Sequence, residues 1–273
     1  MQFIAIYNKI KNSGDYIMNE NQIPLKVVIL AAGRGERLNS DKAQIPKHMR
    51  EVAGKPLLYY ILKAVDFIEN KNDIIIIVGY LKEKIINTFP EYAFVIQGEH
   101  LGYGTGAAVR YAEETIGDYS GDILVLLGDT PLITQESILN MYNEHKKNNN
   151  DCTLLSCEID ETLSIGRIVR DENGKFCGIV ENRDCSDEQR AKIKEYNASV
   201  MLFNSKKFFE QAACLNNNNN SNEYYLTDVP GLFLKNNYKV GVFKSANANE
   251  IHGVNSMEEL ALVESILLST STK

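Results

Sequence analysis

The sequence predicts a doubly wound α/β fold: a mostly parallel central sheet with helices on both faces and a smaller strand-rich region attached. Three observations predict it. The apolar runs Lys26–Leu30 (KVVIL), Asp73–Gly79 (DIIIIVG) and Asp122–Leu127 (DILVLL) show no polar alternation, as expected of strands covered on both faces. Stretches of helical spacing separate such runs. The first and third runs each lead into a glycine-containing turn, Ala31-Ala32-Gly33 and Gly128-Asp129, at the sheet edge where open α/β folds bind ligands.

Residues 1–24 lack the charged, apolar and small-residue order of a signal peptide and read as a flexible extension, with Met18 a second candidate start. Lys26–Leu30 is the first strand. Pro56 opens a helix carrying Leu57, Leu58, Ile61, Leu62 and Val65 on one side. Asp73–Gly79 and Phe94–Gln97 are strands, Gly106–Ile116 a helix and Asp122–Leu127 a strand. Beyond residue 150 the strands Cys152–Cys157, Lys175–Val180, Tyr196–Phe203 and Lys239–Phe243 have fewer helices between them, and Asn173-Gly174 marks a hairpin. The asparagine run Asn216–Asn220 reads as a solvated loop. Ser256 and Glu259 have capping-box spacing ahead of Leu260, Val263, Ile266 and Leu267, which predicts a terminal helix from about residue 256.

Apolar residues make up 44% of the 273, enough for a large buried core, and 29 basic against 36 acidic residues leave a net charge of −7. An acidic chain argues against nucleic acid as a partner, and no apolar run is long enough for a membrane span. The five cysteines form no C-x-x-C pair, which argues against a metal cage or disulfide framework and for a reducing, cytoplasmic setting. His48, His100, His145 and His252 share no spacing and receive no metal role.

The most informative stretch is Leu30-Ala31-Ala32-Gly33-Arg34-Gly35-Glu36-Arg37-Leu38. Glycines after a strand let backbone N–H groups close on an anion, and Arg37 adds a donor suited to phosphate. Leu38 stands where a dinucleotide-binding loop has its third glycine, and the Walker pattern fails as well. A structural turn without a ligand stays open for the loop taken alone.

The loop is followed by Pro46-Lys47 and Val52-Ala53-Gly54-Lys55-Pro56, then by Gln97-Gly98-Glu99-His100-Leu101-Gly102-Tyr103-Gly104-Thr105 and Leu127-Gly128-Asp129-Thr130-Pro131-Leu132. Gly166-Arg167-Ile168, Gly178-Ile179-Val180-Glu181, Glu195-Tyr196-Asn197, Glu223-Tyr224-Tyr225-Leu226-Thr227-Asp228 and Gly253-Val254-Asn255 come after them in order. Over roughly residues 26–265 this series resembles the sugar nucleotidyltransferases, and specifically the uridyltransferase domain of the bacterial GlmU family of N-acetylglucosamine-1-phosphate uridyltransferases.

The resemblance implies a Rossmann-like nucleotide-diphospho-sugar transferase fold over residues 25–255, with a sugar-binding part at about 151–230 and a C-terminal helix and tail at 256–273. The implied reaction joins UTP to N-acetylglucosamine 1-phosphate for cell-envelope synthesis. Alternatives are glucose 1-phosphate with UTP or dTTP, or a weakly catalytic regulatory paralogue. Lys47 and Arg37 are the implied catalytic cations. Leu30, Ala32, Gly33, Gly35, Gln97, Gly102 and Tyr103 are the implied nucleotide contacts. Gly128, Gly166, Glu181, Asn197, Tyr225 and Thr227 would line the sugar pocket. Asp129 and Asn255 would hold Mg²⁺, which favours hard oxygens.

Three departures accompany the resemblance. About three extra residues separate Arg37 from Pro46-Lys47, Tyr103 stands where the family usually has Thr, and no hexapeptide repeat of the family's acetyltransferase half occurs. The last implies a monomer or weak homodimer, no acetyl transfer by this chain, and a separate acetyltransferase in the pathway as a candidate partner.

Overall fold

The computed structural model describes residues 23–271, so the expectations for residues 1–22 lie outside the described part. The strands are β1 (Leu25–Ala31), β2 (Glu51–Val52), β3 (Lys55–Pro56), β4 (Ile74–Val78), β5 (Ala93–Ile96), β6 (Asp122–Leu127), β7 (Cys152–Glu158), β8 (Arg167–Arg170), β9 (Phe176–Val180), β10 (Glu195–Asn204) and β11 (Val240–Lys244). Nine of them form one sheet with the order β11-β7-β10-β6-β1-β4-β5, and the β8–β9 hairpin branches from β10.

The uninterrupted apolar runs are explained by burial on both faces. In β4 all five residues are buried: Ile74, Ile76 and Val78 face one core cluster while Ile75 and Ile77 face the other. The first cluster takes in Leu58, Ile61 and Leu62 from the helix Leu57–Ala64 and Ile138, Met141 and Tyr142 from the helix Gln135–Lys147. The second takes in Val109, Phe208, Phe209 and Phe233 from helices on the opposite side. A third, smaller cluster joins Leu38, Val52, Leu57 and Leu132 to Val254 and Val263 at the terminal helix Met257–Ser271.

β1 pairs in parallel with both β4 and β6, and β4 with β5. β10 then runs antiparallel between β6 and β7. The strand-rich texture of the later sequence therefore has two sources: β7, β10 and β11 extend the main sheet, and only β8 and β9 stand apart.

Two expected elements differ in detail. The helix Gly106–Ile116 is broken into Thr105–Arg110 and Glu113–Ile116, because the Tyr111 and Ala112 N–H groups bond three residues back instead of four. Pro56 ends β3 and precedes the helix Leu57–Ala64 instead of being its first residue. Among the described residues, no helix is long and apolar enough to cross a membrane.

Candidate active site

β1 and β6 lie side by side with Leu30 opposite Leu127, so the segments that follow them leave the same edge of the sheet together. The Gly128 N–H donates to the Leu30 carbonyl at 2.9 Å. A Cβ on Gly128 would lie 2.8 Å from His48 Cδ2 and 2.9 Å from the Leu30 oxygen, which leaves room for glycine alone. The edge is also a topological switch point, since β4 and β6 flank β1 on opposite sides.

The extra residues before Lys47 fold locally. Ser40–Ala43 forms one helical turn, with Asn39 and Gln44 on either side both in the left-handed region at φ +53°. That turn carries the chain out and back, and Lys47 returns against the glycine loop. Gly35, itself at φ +72°, would bring a Cβ within 2.7 Å of Lys47 Cβ and 2.8 Å of Ser40 Oγ. Glycine at this position is thus what lets the lysine stem lie on the loop.

Lys47 is only 8% exposed, and its ammonium is ion-paired to Asp129 Oδ2 and donates to Asn255 Oδ1 at 2.7 Å. These three groups, from three separate sequence motifs, form the polar centre of the edge. Asn255 is held from behind. The Val254 N–H donates to the Asp129 carbonyl at 2.8 Å. Glu259 Oε2 accepts from the N–H groups of Asn255 (2.6 Å) and Ser256 (3.0 Å), while Ser256 Oγ accepts from the Glu259 N–H, so the capping box is formed.

The loop arginines behave differently. Arg37 is exposed and does not take part in the hydrogen bonds that join Lys47, Asp129 and Asn255. Arg34 is also exposed, stacks on the Tyr80 ring at 5.2 Å and lies 3.5 Å from Asp41 of the inserted turn. Gly33 is exposed, and the Ala32 carbonyl lies 3.0 Å from where a Cβ on Gly79 would stand.

His48 received no metal role from the sequence, where nothing but its place after Lys47 marks it for any other. It is buried beneath the edge, with Nδ1 lacking a hydrogen-bond partner among the described residues. Burial pushes its pKa down to about 4; the Lys47 ammonium adds to this, and Asp129 and a bond to Ala31 oppose it.

On the β5 side, Gln97 follows the strand, with its N–H donating to the Val78 carbonyl at 2.8 Å. Gly102 has φ +85°, and a Cβ there would lie 2.6 Å from the Tyr224 ring. The Tyr103 carbonyl accepts from the Tyr224 N–H at 2.8 Å, while the Tyr103 side chain stands 71% exposed. Gly102 and Tyr103 therefore dock this loop onto the Glu223–Tyr225 segment.

On the β10 side, Glu181 accepts from Thr227 Oγ1 at 2.7 Å, and its Oε1 lies 3.3 Å from the position of a Gly166 Cβ. Burial raises the Glu181 pKa, the Thr227 hydroxyl opposes this, and the carboxylates of Asp228, Asp184 and Glu223 add to it. The buried Asn197 donates its N–H to the Gly166 carbonyl at 2.9 Å, next to a register shift in β10. Tyr225 lies near the carboxylates of Asp184, Glu181 and Glu223, and burial raises its hydroxyl pKa.

Two supports here were not foreseen. Arg167 is fully buried, stacks on Tyr196 at 5.0 Å, and donates to Asn182 Oδ1 (2.9 Å) and to the carbonyls of Ile165 and Leu163. It thereby ties together the segments that carry Gly166 and Glu181. The asparagine run is also more than solvated chain: Asn219 Oδ1 accepts from the Ser221 and Glu223 N–H groups, and Asn220 Nδ2 donates to the Arg183 carbonyl at 3.0 Å.

Among the described residues, no group of three or more His, Cys, Asp or Glu side chains is gathered as in a metal cage. One carboxylate oxygen and one amide oxygen, however, already converge on a single cation, the Lys47 ammonium. Such a sparse, hard-oxygen pair suits Mg²⁺, which takes one or two protein ligands and completes its shell from phosphates and water.

Comparison with known proteins agrees with this architecture. Residues 27–215 match the family model described as the MobA-like NTP transferase domain. The bifunctional protein GlmU of Streptococcus mutans is 39% identical over 241 residues, covering 88% of this chain and 51% of that protein. The Streptococcus uberis GlmU is 38% identical over the same lengths. The chain thus spans about half the length of these curated relatives. Among solved structures, a Bacillus anthracis candidate glucose-1-phosphate thymidylyltransferase in complex with sucrose superposes with a TM-score of 0.68 at 20% identity, covering 89% of this chain and 94% of that one, a likeness of fold. The matched residues run from β1 through β10 and include the glycine loop after β1 and Asp129 after β6, and the chain belongs to the MobA-like NTP transferase domain family.

Proposed function

We propose that the chain is a sugar-1-phosphate nucleotidyltransferase that makes UDP-N-acetylglucosamine and pyrophosphate from UTP and N-acetylglucosamine 1-phosphate, in the cytoplasm and for cell-envelope precursors. The observation that carries this reading is the meeting of Lys47, Asp129 and Asn255 beside the glycine loop. The identity to GlmU proteins over 88% of the chain supports the choice of sugar and base.

In this reading the triphosphate lies along the loop, with the N–H groups of Gly33 and Gly35 and the guanidinium of Arg37 on its outer phosphates. The base reaches toward Gln97, Gly102 and Tyr103 on the β5 side. The sugar lies toward Gly166, Glu181, Asn197, Tyr225 and Thr227 on the β10 side, close to Gly128. A phosphate oxygen of the sugar phosphate attacks the α-phosphorus, forming one P–O bond as the bond to the β-phosphate breaks and pyrophosphate leaves. Negative charge grows on the non-bridging oxygens, and Lys47 is the group that answers it. Asp129 and Asn255 would hold Mg²⁺, which supplies charge neutralisation of the phosphates when bound. Glu181 accepts from sugar hydroxyls, and Asn197 is suited to pair with an acetamido group.

The test is pyrophosphate release with UTP or dTTP, Mg²⁺ and a panel of sugar 1-phosphates. Turnover confined to UTP with N-acetylglucosamine 1-phosphate is the expected result. Turnover with glucose 1-phosphate alone would reassign the sugar, and none with any pair would make the chain a non-catalytic paralogue. Lys47→Ala is expected to slow the reaction roughly 10²–10³-fold, by analogy with removing one transition-state donor.

A further inference from the structure

The Lys47 ammonium occupies the point at which Asp129 and Asn255 present their oxygens. Both partners are side chains that the proposed function assigns to the divalent cation. One position therefore has two claimants: an internal cation on a tether and a free one from solution.

Charge decides between them according to what else is present. With no nucleotide, Asp129 and Lys47 neutralise each other in a pocket where both are about nine-tenths buried. A divalent ion entering then displaces a well-paired ammonium and remains beside it, and two cations in a poorly solvated site repel strongly. A triphosphate changes the balance by bringing several negative charges to the glycine loop. The Lys47 stem already lies against that loop at Gly35. A lysine side chain has rotatable bonds enough to move its head from the Asp129 carboxylate to a phosphate without moving the backbone.

We propose that Lys47 is a tethered cation that closes the divalent-metal position in the free protein, and that a nucleoside triphosphate opens it by drawing the ammonium onto its phosphates. Lys47 then has a role before the chemical step as well as during it. Metal and nucleotide enter as coupled ligands, each strengthening the other. The inference rests on the assignment of Asp129 and Asn255 to the metal, and its central measurement needs neither nucleotide nor turnover.

Mn²⁺ binding followed by electron paramagnetic resonance tests it, on the whole chain and on Lys47→Met and Lys47→Arg. Without nucleotide, Lys47→Met is expected to bind Mn²⁺ at least roughly tenfold more tightly than the parent, a difference on the usual scale of coupling between sites. Lys47→Arg, which keeps a cation on the tether, is expected to stay weak. UTP is expected to tighten Mn²⁺ binding in the parent far more than in Lys47→Met. Thermal unfolding supplies a second reading: Lys47→Met leaves the Asp129 carboxylate without its counter-ion, so Mg²⁺ should raise its Tm more than that of the parent.

Equal nucleotide-free Mn²⁺ affinities in the parent and Lys47→Met, with equal Mg²⁺ effects on Tm, would overturn the proposal. Adding Asp129→Asn to Lys47→Met should abolish the gained Mn²⁺ binding; if the gain persists, the ion sits elsewhere and the proposal is likewise overturned. A parent that shows no effect of UTP while Lys47→Met still gains Mn²⁺ affinity would overturn the nucleotide's part and the functional reading with it, but leave the closing of the metal position by Lys47 standing.

Discussion

Replacing His48 by glutamine should remove most of a specific loss of stability in mild acid. His48 is buried and its pKa is pushed from 6.5 down to about 4, with burial the largest cause. An unfolded chain takes up a proton at this residue as pH falls through about 6.5, whereas the folded chain resists until about pH 4. The contribution is therefore whole above pH 6.5, is lost progressively as pH falls, and changes no further below about 4. A shift of about two and a half pH units, at about 1.36 kcal/mol each, sets the ceiling at roughly 3 kcal/mol, and near pH 5 about 2 kcal/mol of it should already be gone. Glutamine can still donate to the Ala31 carbonyl and has no proton to gain in this range. Urea unfolding of both proteins near pH 7 and near pH 5 measures the difference, with all other titrating groups cancelling between them. If the parent and His48→Gln lose equal stability between those two conditions, His48 is not the buried neutral group described here.

Three further changes test other parts of the site. Gly35→Ala should cost roughly 1–3 kcal/mol in urea unfolding and more in turnover, since its Cβ would meet Lys47, whereas Gly54→Ala, at a similar φ with nothing within 4 Å, should cost only the left-handed backbone penalty; equal effects would refute the contact. Glu181→Gln should raise Tm near pH 7 and lose that advantage in acid. The raised pKa means that the native carboxyl is favoured only below its unfolded value and is penalised once ionised, so an unchanged Tm at neutral pH would count against it. Ala53→Asn should stabilise the protein by about 0.5–1 kcal/mol, because Ala53 and Gly54 both hold positive φ in the two-residue turn between β2 and β3, a conformation asparagine tolerates better than alanine.

The parallel half of the fold was legible because β1, β4 and β6 are buried on both faces and carry that burial as uninterrupted apolar runs. The antiparallel placement of β10 between β6 and β7 was not, since strand direction leaves no mark on composition. Lys47, Asp129 and Asn255 each belong to a recognisable motif, but their joining in one hydrogen-bonded group depends on contacts across 82 and 208 residues. His48 and Arg167 were hidden for another reason. A buried polar side chain is recognised by what surrounds it, and neither sits in a local pattern that reports its surroundings. The asparagine run is the solvent-facing loop its low complexity suggests, but the hydrogen bonds by which Asn219 and Asn220 each hold backbone leave no mark on composition.

The terminal helix has a consequence for where the working unit of this protein stops. Its first turn supplies Glu259, whose carboxylate grips the backbone N–H of Asn255, and Val263 packs into the same cluster as Leu38 at the end of the glycine loop. A chain cut just after Asn255 would keep every strand of the sheet and still lose the brace behind one side of its polar centre. The helix is a buttress, so a version of this domain that keeps its polar centre braced has to extend well past Asn255.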